Sequence, residues 1–504
     1  MTIEEIFQKA TSNEVIAELK TRRYIPQPNV ESAQKALDPK LHNINDRILR
    51  PDKRIRVDTD NDADSAQKVI DTGGESTNFK TEKVARIALA IQKLIIKRAV
   101  SFCFGNPIAY NSSPENDNQQ LIVKALNRIL YDVKSNSLNR KVGRSVFGFK
   151  ECAELWYPVP VDKTKTGNKI TDFANNLFGN KYHIKYGFKS KFKLRCTVFS
   201  PKFGDTLYPY FDETGDMVAF SRSFSRTDEK QNSIDYFETY TDTEHWLWVN
   251  GTNGYEVVDG YPKIVSIGKI PVVYGHQEQF ETEDVDALID RLEVLLSNFA
   301  DTNDYHASPK LFVTGQINGW SKKGEAGAVI EGEDGADMKY VSWANAPEAV
   351  KLEIETLLRM IYTITQTPDI SFDSVKGLGA ISGIALKLLF MDAHLKVQDK
   401  REIFDEYLQR RVNVIKAYIG KFNTALEKDC DTLEVEPEIT PYMLNDELAE
   451  INMWLAANGN KPLVSQKQSV KSANLSQDPE ADFEQIQEEA SRENTFMIGE
   501  PTEA

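Results

Sequence analysis

Residues 283–306 read EDVDALIDRLEVLLSNFADTNDYH, and the spacing of their apolar residues decides the fold of this part of the chain. Leu288, Leu292 and Leu295 belong to a stripe that recurs every three or four residues, which predicts a helix of roughly 36 Å at 1.5 Å per residue. A second helix of about the same length is predicted over 348–367, with a proline directly before it and another directly after it.

A short insert and a glycine-rich loop flank this helix pair along the sequence. Residues 308–345 contain β-like stretches separated by glycine turns, so two antiparallel helices would carry a small β domain at their tip. A Gly-rich loop follows over 370–382, and a very long helix is predicted from Gly383 to about Ile419. A two-helix stalk buries only part of its apolar stripe, and neighbouring copies in a ring would bury the rest.

The parts of the chain outside the stalk mix helices and strands. Residues 1–282 contain both, and the stretch at about 145–275 is rich in Phe, Tyr, Val, Thr and Trp. Runs at 236–241 and 246–250 predict antiparallel strands, whereas residues 425–504 are helical in pattern and acidic. The sequence therefore predicts an α+β fold that is mainly helical.

The composition excludes several classes of protein. The 504 residues carry a formal net charge of −15, with 40% hydrophobic, 10% aromatic and 27% charged residues. These fractions are enough for sizeable cores and exclude wholesale disorder. The acidic balance argues against a nucleic-acid coat protein, because the electrostatic footprint of such a protein is basic.

The most apolar stretch and the cysteines indicate the compartment. A helix is predicted over 81–100, ending before Phe102, and charged residues interrupt the apolar run 87–104, so it does not resemble a membrane span. The N-terminus lacks the cationic and apolar segments of a signal peptide, so we expect assembly in a cytoplasm. The four cysteines are too scattered for a zinc motif and are expected to be reduced thiols: Cys103, Cys152, Cys196 and Cys430.

Catalytic and cofactor motifs are absent from the sequence. None of the six histidines has metal-ligand spacing, and no GxSxG or GxxxxGK[ST] motif occurs. The Gly377–Gly383 stretch follows a helix and a proline rather than a strand, which is the wrong context for a dinucleotide-binding loop. We therefore expect no enzyme activity, no cofactor and no bound metal. A metal-dependent nuclease that uses the acids at 278–304 stays a minor alternative.

Three charged features stand out. From Lys185 to Arg195, cations alternate with aromatic residues as in a strand with one cationic face, which fits either nucleic acid, a solvated face or an acidic neighbour in an oligomer. A turn in the insert carries an aromatic residue and two lysines, a candidate docking tip: Trp320, Lys322 and Lys323. The first long helix bears acids that would form a like-charged wall repelling DNA phosphates: Asp284, Asp286, Asp290, Glu293 and Asp301.

Several stretches together resemble the portal proteins of tailed bacteriophages, in particular the SPP1-like branch. Phe102-Cys-Phe-Gly-Asn-Pro107 is similar to an early signature of that family, and Gly268-Lys-Ile-Pro-Val-Val273 precedes a similar entry into the first stem helix. Ser382-Gly-Ile-Ala-Leu-Lys387 before a long charged helix is the most specific match, and Leu475-Ser-Gln-Asp-Pro-Glu480 resembles the C-terminal portion. The resemblance spans about residues 40–490.

This resemblance implies a portal fold with named parts. It assigns residues 1–282 to a wing and residues 425–504 to a helical crown with an acidic tail. The parts between them are two stem helices at 283–307 and 346–369, a clip at 308–345, a tunnel loop at 370–382 and a long tunnel helix at 383–424. The tunnel-loop residues that the resemblance places near DNA are Phe372, Ser374, Val375, Lys376, Gly377, Leu378 and Gly379.

The resemblance also implies a function and partners. About twelve copies would form a ring at one capsid vertex, through which double-stranded DNA is packaged and ejected. The clip would dock the terminase large subunit and later a head-tail adaptor protein, and the ring would contact the major capsid and scaffolding proteins. The expected location is the virion, after assembly in the bacterial cytoplasm, with no membrane partner. Another structural protein of a tail or baseplate is the alternative.

Overall fold

A computed structural model of the chain provides the structure. It describes residues 3–9, 11–22, 25–56, 67–70, 76–161, 183–227, 231–306, 310–314, 317–319, 331–332, 337–341, 346–369, 390–442, 455–456, 464–473 and 483–489. The chain divides into two compact units, one of residues 1–371 with 391–442 and one of residues 372–390 with 443–504.

The first unit contains ten helices among its described residues. They are α1 (Ile3–Phe7), α2 (Ser12–Leu19), α3 (Val30–Leu37), α4 (Ile91–Phe104), α5 (Asp117–Asp132), α6 (Ser135–Phe149), α7 (Asp286–His306), α8 (Ala346–Ile364), α9 (Met391–Phe422) and α10 (Glu427–Thr432). Short 3-10 turns occur at Pro39–Leu41, Asn43–Asn45, Pro201–Phe203, Glu283–Val285 and Thr424–Leu426. The second unit contains α11 (Gln466–Ala473).

The described strands all lie in the first unit. They are β1 (Lys53–Arg56), β2 (Gln67–Ile70), β3 (Ser76–Glu82), β4 (Ala109–Ser112), β5 (Glu151–Pro160), β6 (Phe192–Phe199), β7 (Thr206–Phe211), β8 (Met217–Thr227), β9 (Ser233–Tyr240), β10 (Glu244–Gly251), β11 (Gly254–Val257), β12 (Lys263–Ile264), β13 (Val272–His276), β14 (Lys310–Thr314), β15 (Ile317–Gly319), β16 (Glu331–Gly332), β17 (Asp337–Val341) and β18 (Val435–Glu438).

Antiparallel pairing organises these strands into small sheets. A six-stranded sheet has the order β11-β10-β9-β8-β7 with β12 beside β10, and a three-stranded sheet has the order β13-β5-β6. Thr239 lies opposite Trp246 in the β9–β10 pair, which confirms the predicted antiparallel strands in this region. In the predicted tip domain, β14 pairs with β17 and β15 pairs with β16. The mixture of helices and sheets confirms the α+β class.

Two apolar clusters stabilise the β-rich part of the first unit. Helices α1 and α2 cover one face of the six-stranded sheet, where Ile16 and Leu19 pack with Phe237 and Trp248. A second cluster, which includes Phe199 and residues of β5, β7, β8 and β13, joins the two larger sheets. Burial of these side chains stabilises each contact by about 1.5–3 kcal/mol per residue relative to exposure.

Buried ion pairs cross-link segments that are distant in sequence. Arg411 of α9 donates to both Glu154 carboxylate oxygens at 2.9 and 2.6 Å and to Asn139 at 2.6 Å. Burial disfavours the charged guanidinium, but the attraction of Glu154 outweighs it and raises the pKa of Arg411. Arg22 forms a similar buried pair with Glu151, at 2.6 Å. These pairs attach the long helix and the N-terminal segment to the same sheet strand, β5.

The predicted helix over 81–100 is wrong at both ends. The structure has an extended segment at 83–90, and α4 runs from Ile91 through Phe104. Gly105 then ends the helix where no side chain would fit, because a Cβ there would lie 2.4 Å from the Ser101 carbonyl oxygen and 2.7 Å from Tyr442 Cβ. The glycine of the Phe-Cys-Phe-Gly motif thus allows the chain near Tyr442 to approach closely.

The long helix ends close to the predicted position, and the first compact unit extends beyond it. Helix α9 has 32 residues and ends at Phe422, whereas residues 383–389 of the predicted helix lie outside the described residues. Strand β18 pairs with β4, so Glu438 lies opposite Ala109 in the first unit. The first compact unit therefore continues to Tyr442, beyond the predicted start of the crown at 425.

Candidate functional site at the base of the two-helix stem

Helices α7 and α8 pack side by side, and α4 packs against their base. Their shared core is a cluster of aliphatic side chains from the three helices and the turn before α7: Ile91, Ile95, Val285, Ile289, Leu292, Leu295, Leu357 and Ile361. Arg291 of α7 also pairs with Glu353 of α8 at 2.7 Å. The amphipathic stripes that predicted the two helices are thus the surfaces that hold them together.

The opposite side of α7 anchors an extended strand of chain. The backbone N–H of Ala85 donates to Asp301 at 2.7 Å, that of Ile87 to Ser297 Oγ at 2.9 Å, and that of Leu89 to Glu293 at 2.7 Å. Acceptors four residues apart on one helix face therefore bind alternate amides of the extended segment, which runs antiparallel to α7. These three hydrogen bonds explain why 83–90 is extended despite its helical pattern.

The acids on this helix do not form the open like-charged wall that the sequence predicts. Glu293 is buried and Asp301 pairs with Arg50 at 2.9 Å, while Asp290 accepts a hydrogen bond from Asn43 at 2.7 Å. Asp286 is half-buried, and burial raises the pKa of its carboxyl group. Among the five predicted acids only Asp284 is exposed. The prediction is wrong because three of these carboxylates, Asp290, Glu293 and Asp301, are acceptors for the 39–50 and 85–89 segments.

His42 completes the buried cluster around Glu293. Its Nδ1 lies 2.7 Å from Glu293 Oε1 and its Nε2 lies 3.1 Å from the Ala36 carbonyl oxygen. Burial lowers the pKa of His42, but the hydrogen bond and the attraction to Glu293 outweigh it, so the pKa is raised above 6.5. The residue was missed from the sequence because a lone histidine carries no spacing signal, and its partner lies 251 positions away.

A second set of polar contacts holds the end of α8 against α9. Lys396 is 3% exposed, and its ammonium group donates to the Thr365 carbonyl oxygen at 2.7 Å and pairs with Glu281 at 2.6 Å. Lys400 pairs with the other Glu281 oxygen at 3.1 Å. Arg98 of α4 donates to the Pro368 carbonyl oxygen at 2.8 Å. We call these residues the stem root, because α7 begins, α8 ends and α9 begins around them.

Helix α8 has a second apolar face that the single chain leaves open. Leu352 is 66% exposed, Met360 is 44% exposed and Ile364 is 46% exposed. With Ala349 and Thr356 they follow a spacing of three or four residues. At 100° per residue this stripe lies about 120° around the helix from the face that packs in the shared core. A helix with two apolar faces is typical of a larger assembly.

Other predicted site residues lie beyond the part of the chain that the structure describes. The tunnel-loop residues 372–379, including Lys376, and the docking-tip residues Trp320, Lys322 and Lys323 are outside the described residues. Their roles stay predictions. The stem root is the described structure closest in sequence to the predicted loop, since α8 and the residues after it are described up to Asp369.

The possible metal ligands and the cysteines are dispersed over the described residues. In these ranges no group of three or more His, Cys, Asp or Glu side chains is arranged to hold a metal ion. The four cysteines form no disulfide, and burial raises the pKa of the Cys103 thiol to about 12, which makes it a poor nucleophile. No described helix is both long and apolar enough to cross a membrane.

Solved structures with a similar chain path come from gene transfer agent (GTA) particles. One is the neck of an empty particle with C6 symmetry, with a TM-score of 0.40 at 10% identity, covering 76% of this chain and 90% of that chain. Another is the neck of a native particle with C12 symmetry, with a TM-score of 0.36 at 10% identity, covering 76% and 88% respectively. A search of curated protein sequences found no match.

The family assignment comes from the sequence as a whole. A family model described as phage portal protein, SPP1 Gp6-like, matches residues 42–495. That range includes the extended segment, both stem helices, the stem root and α9. It leaves out only the first 41 residues and the last nine. The chain therefore belongs to the SPP1 Gp6-like family of phage portal proteins.

Proposed function

We propose that this portal protein forms a closed ring of about twelve copies at one capsid vertex and that double-stranded DNA enters and leaves the head through its channel. The ring assembles in the bacterial cytoplasm and remains in the virion. Its clip docks the terminase large subunit during packaging and a head-tail adaptor protein afterwards, and its outer parts contact the major capsid and scaffolding proteins. The family assignment supports this proposal.

The structural observation that best supports ring formation is the second apolar face of α8. Leu352, Met360 and Ile364 would be unfavourably hydrated in a single chain. Full burial of an exposed side chain of this size contributes about 1.5–3 kcal/mol, so burying the exposed half of each against a neighbouring copy would contribute roughly half of that. A head-to-tail contact of this kind repeats from copy to copy and closes into a ring when the rotation allows it.

The assembly state of two variants tests the ring. We expect wild-type protein to form rings with a central hole, visible by electron microscopy down the ring axis. Leu352→Glu with Met360→Glu would give single chains of unchanged helix content by circular dichroism. The matched control Glu355→Gln, at an exposed polar position of the same helix, would still form rings. Single chains of wild type, or particles without a hole, would contradict the proposal and favour another tail or baseplate protein.

The tunnel loop and the clip would each perform one step of DNA handling. Lys376 would place one cation per subunit near the DNA backbone, so Lys376→Glu would leave rings intact and reduce packaging or retention of DNA. Substitution of Trp320, Lys322 and Lys323 would weaken docking of terminase or adaptor without dissociating the ring. Unchanged packaging, or unchanged docking, would remove the respective residues from the mechanism.

We further propose that the protein acts as a passive conduit and docking platform rather than as an enzyme. The energy for DNA movement would come from the docked terminase. The acids at 278–304 would then have structural roles, as Glu293 and Asp301 do at the stem base. Metal-dependent DNA cleavage by the purified ring, lost on Asp284→Ala, would overturn this part of the proposal.

A further inference from the structure

Two stretches of this acidic chain contain cations and no acidic residue. Residues 133–150 carry five Lys or Arg residues, and residues 183–204 carry six. Neither stretch contains Asp or Glu, although the whole chain has a net charge of −15. These cations can form one basic surface only if the two stretches lie close together in space. In the structure both stretches lie at the same edge of a sheet.

Strand β6 forms the edge of the three-stranded sheet, and α6 packs across β5 beside it. Helix α6 contacts both β5 and the 3-10 turn that follows β6, so the two stretches are neighbours in the structure. Burial and the neighbouring Arg144 of α6 lower the pKa of Lys202. In the β5–β6 register Lys193 and Arg195 lie opposite Val159 and Tyr157, on the sheet face away from Glu154 and α6. The cations of the two stretches therefore border this edge from both faces of the sheet.

We call this surface the basic edge and define it by eight cations: Arg140, Lys141, Arg144, Lys185, Lys191, Lys193, Arg195 and Lys202. Seven of them are exposed, and Lys193 is half-buried. None makes an ion pair with another described residue. Placing like charges together costs free energy, and this chain has more acidic than basic residues with which these cations could form ion pairs. Unpaired clustering therefore points to an external anionic partner.

We propose that the basic edge binds the phosphate backbone of double-stranded DNA, outside the channel and without sequence preference. Alternate residues of a strand lie about 6.7 Å apart, so Lys193 and Arg195 of β6 repeat at about twice the 3.4 Å axial spacing of phosphates along one DNA strand. Lysine is depleted at protein–protein interfaces, which disfavours a second copy as the partner.

Edge strands also use lysines to prevent sheet-to-sheet aggregation. That function accounts for cations on β6 itself. It does not account for Arg140, Lys141 and Arg144, which lie on a helix, or for Lys202 in the 3-10 turn after the strand. DNA binding accounts for the whole set. This inference concerns a surface distinct from the tunnel loop and does not depend on ring formation.

Closed circular DNA provides the test, because it cannot thread through the channel of a preassembled ring. Filter binding of supercoiled plasmid would be measured from 0.05 to 0.2 M salt. The variants are Arg140→Gln/Lys141→Gln/Arg144→Gln and Lys191→Gln/Lys193→Gln/Arg195→Gln. The control neutralises three exposed lysines elsewhere, Lys35→Gln/Lys83→Gln/Lys428→Gln.

We expect each test variant to flatten the slope of log K against log salt by up to about 2.7, or 0.9 per lost phosphate contact. Its affinity at 0.1 M salt would fall by up to roughly 500-fold. The control would bind like wild type. Equal affinity and slope for test and control variants, or no binding of circular DNA by wild type, would overturn the proposal.

Two further outcomes distinguish failure of the DNA-binding proposal from failure of the ring proposal. Loss of ring assembly in the test variants with unchanged DNA affinity would assign the basic edge to an acidic face of a second copy, and so would overturn DNA binding. Wild type that stays a single chain but loses circular-DNA affinity on neutralisation would contradict the ring and support the basic edge.

Discussion

Glu293 offers the sharpest test of how the extended segment 83–90 is attached to helix α7. Its Oε1 accepts hydrogen bonds from the Leu89 amide and from His42 Nδ1, both at 2.7 Å. In Glu293→Leu, a residue of similar size removes the acceptor from two buried donors. A hydrogen bond to a charged group stabilises by about 1.5–3 kcal/mol, so local opening of the Leu89 amide becomes that much easier.

Amide hydrogen exchange measures this opening directly. A loss of about 1.5–3 kcal/mol corresponds to roughly 10- to 100-fold faster exchange in peptides that cover 84–90. Glu293→Gln keeps an acceptor oxygen and would give a smaller acceleration. Asp284→Asn, at an exposed acid in the 3-10 turn directly before Val285 of the shared core, serves as the matched control and would leave exchange unchanged.

Unchanged protection of 84–90 in Glu293→Leu would refute the reasoning. It would mean that the extended segment is held by apolar contacts, such as that of Leu89 with the stem core, rather than by the carboxylate. Faster exchange throughout the chain would also count against it, because the effect is expected in this segment and not as global unfolding.

Three further outcomes are expected at other buried charges. Lys396→Met would remove the hydrogen bond to Thr365, destabilise the stem root by about 1.5–3 kcal/mol and speed exchange at 361–367, while the exposed control Lys351→Met would not. The stabilisation by protonated His42 would be full below pH 6.5 and lost as pH rises through its raised pKa, so melting temperatures of wild type and His42→Gln would differ most in acid. Arg411→Met would leave Glu154 buried without its cation, costing about 3–5 kcal/mol in denaturation, and Glu154→Gln added to it would restore part of the loss.

The sequence predicted well those elements whose stabilising contacts follow a local period. The stripe of Leu288, Leu292 and Leu295 faces the shared stem core, and the runs at 236–241 and 246–250 pair as predicted. In both cases the apolar face predicted from the residue spacing is the face that the structure buries. Period alone was therefore enough to assign element type.

The failures occurred where distant polar groups override a local pattern. Residues 84–90 have helical apolar spacing, but Asp301, Ser297 and Glu293 supply acceptors for their amides and draw the segment into an extended path. The same contacts make the acidic face of α7 a set of buried partners. A polar Glu-Ser-Asp line at four-residue spacing beside the apolar stripe was the available signal.

Matching an extended chain to a helix face also limits how the stem can change in length. Eight helical residues from Glu293 to Asp301 rise about 12 Å, whereas four extended residues from Ala85 to Leu89 span about 13 Å. An insertion of one residue within 293–301 would rotate every later acceptor by 100° and detach at least one amide. Variation in stem length among relatives should therefore be confined to the tip side of Asp301. The base of the stem would keep a constant length, and only the part beyond Asp301 would be longer or shorter.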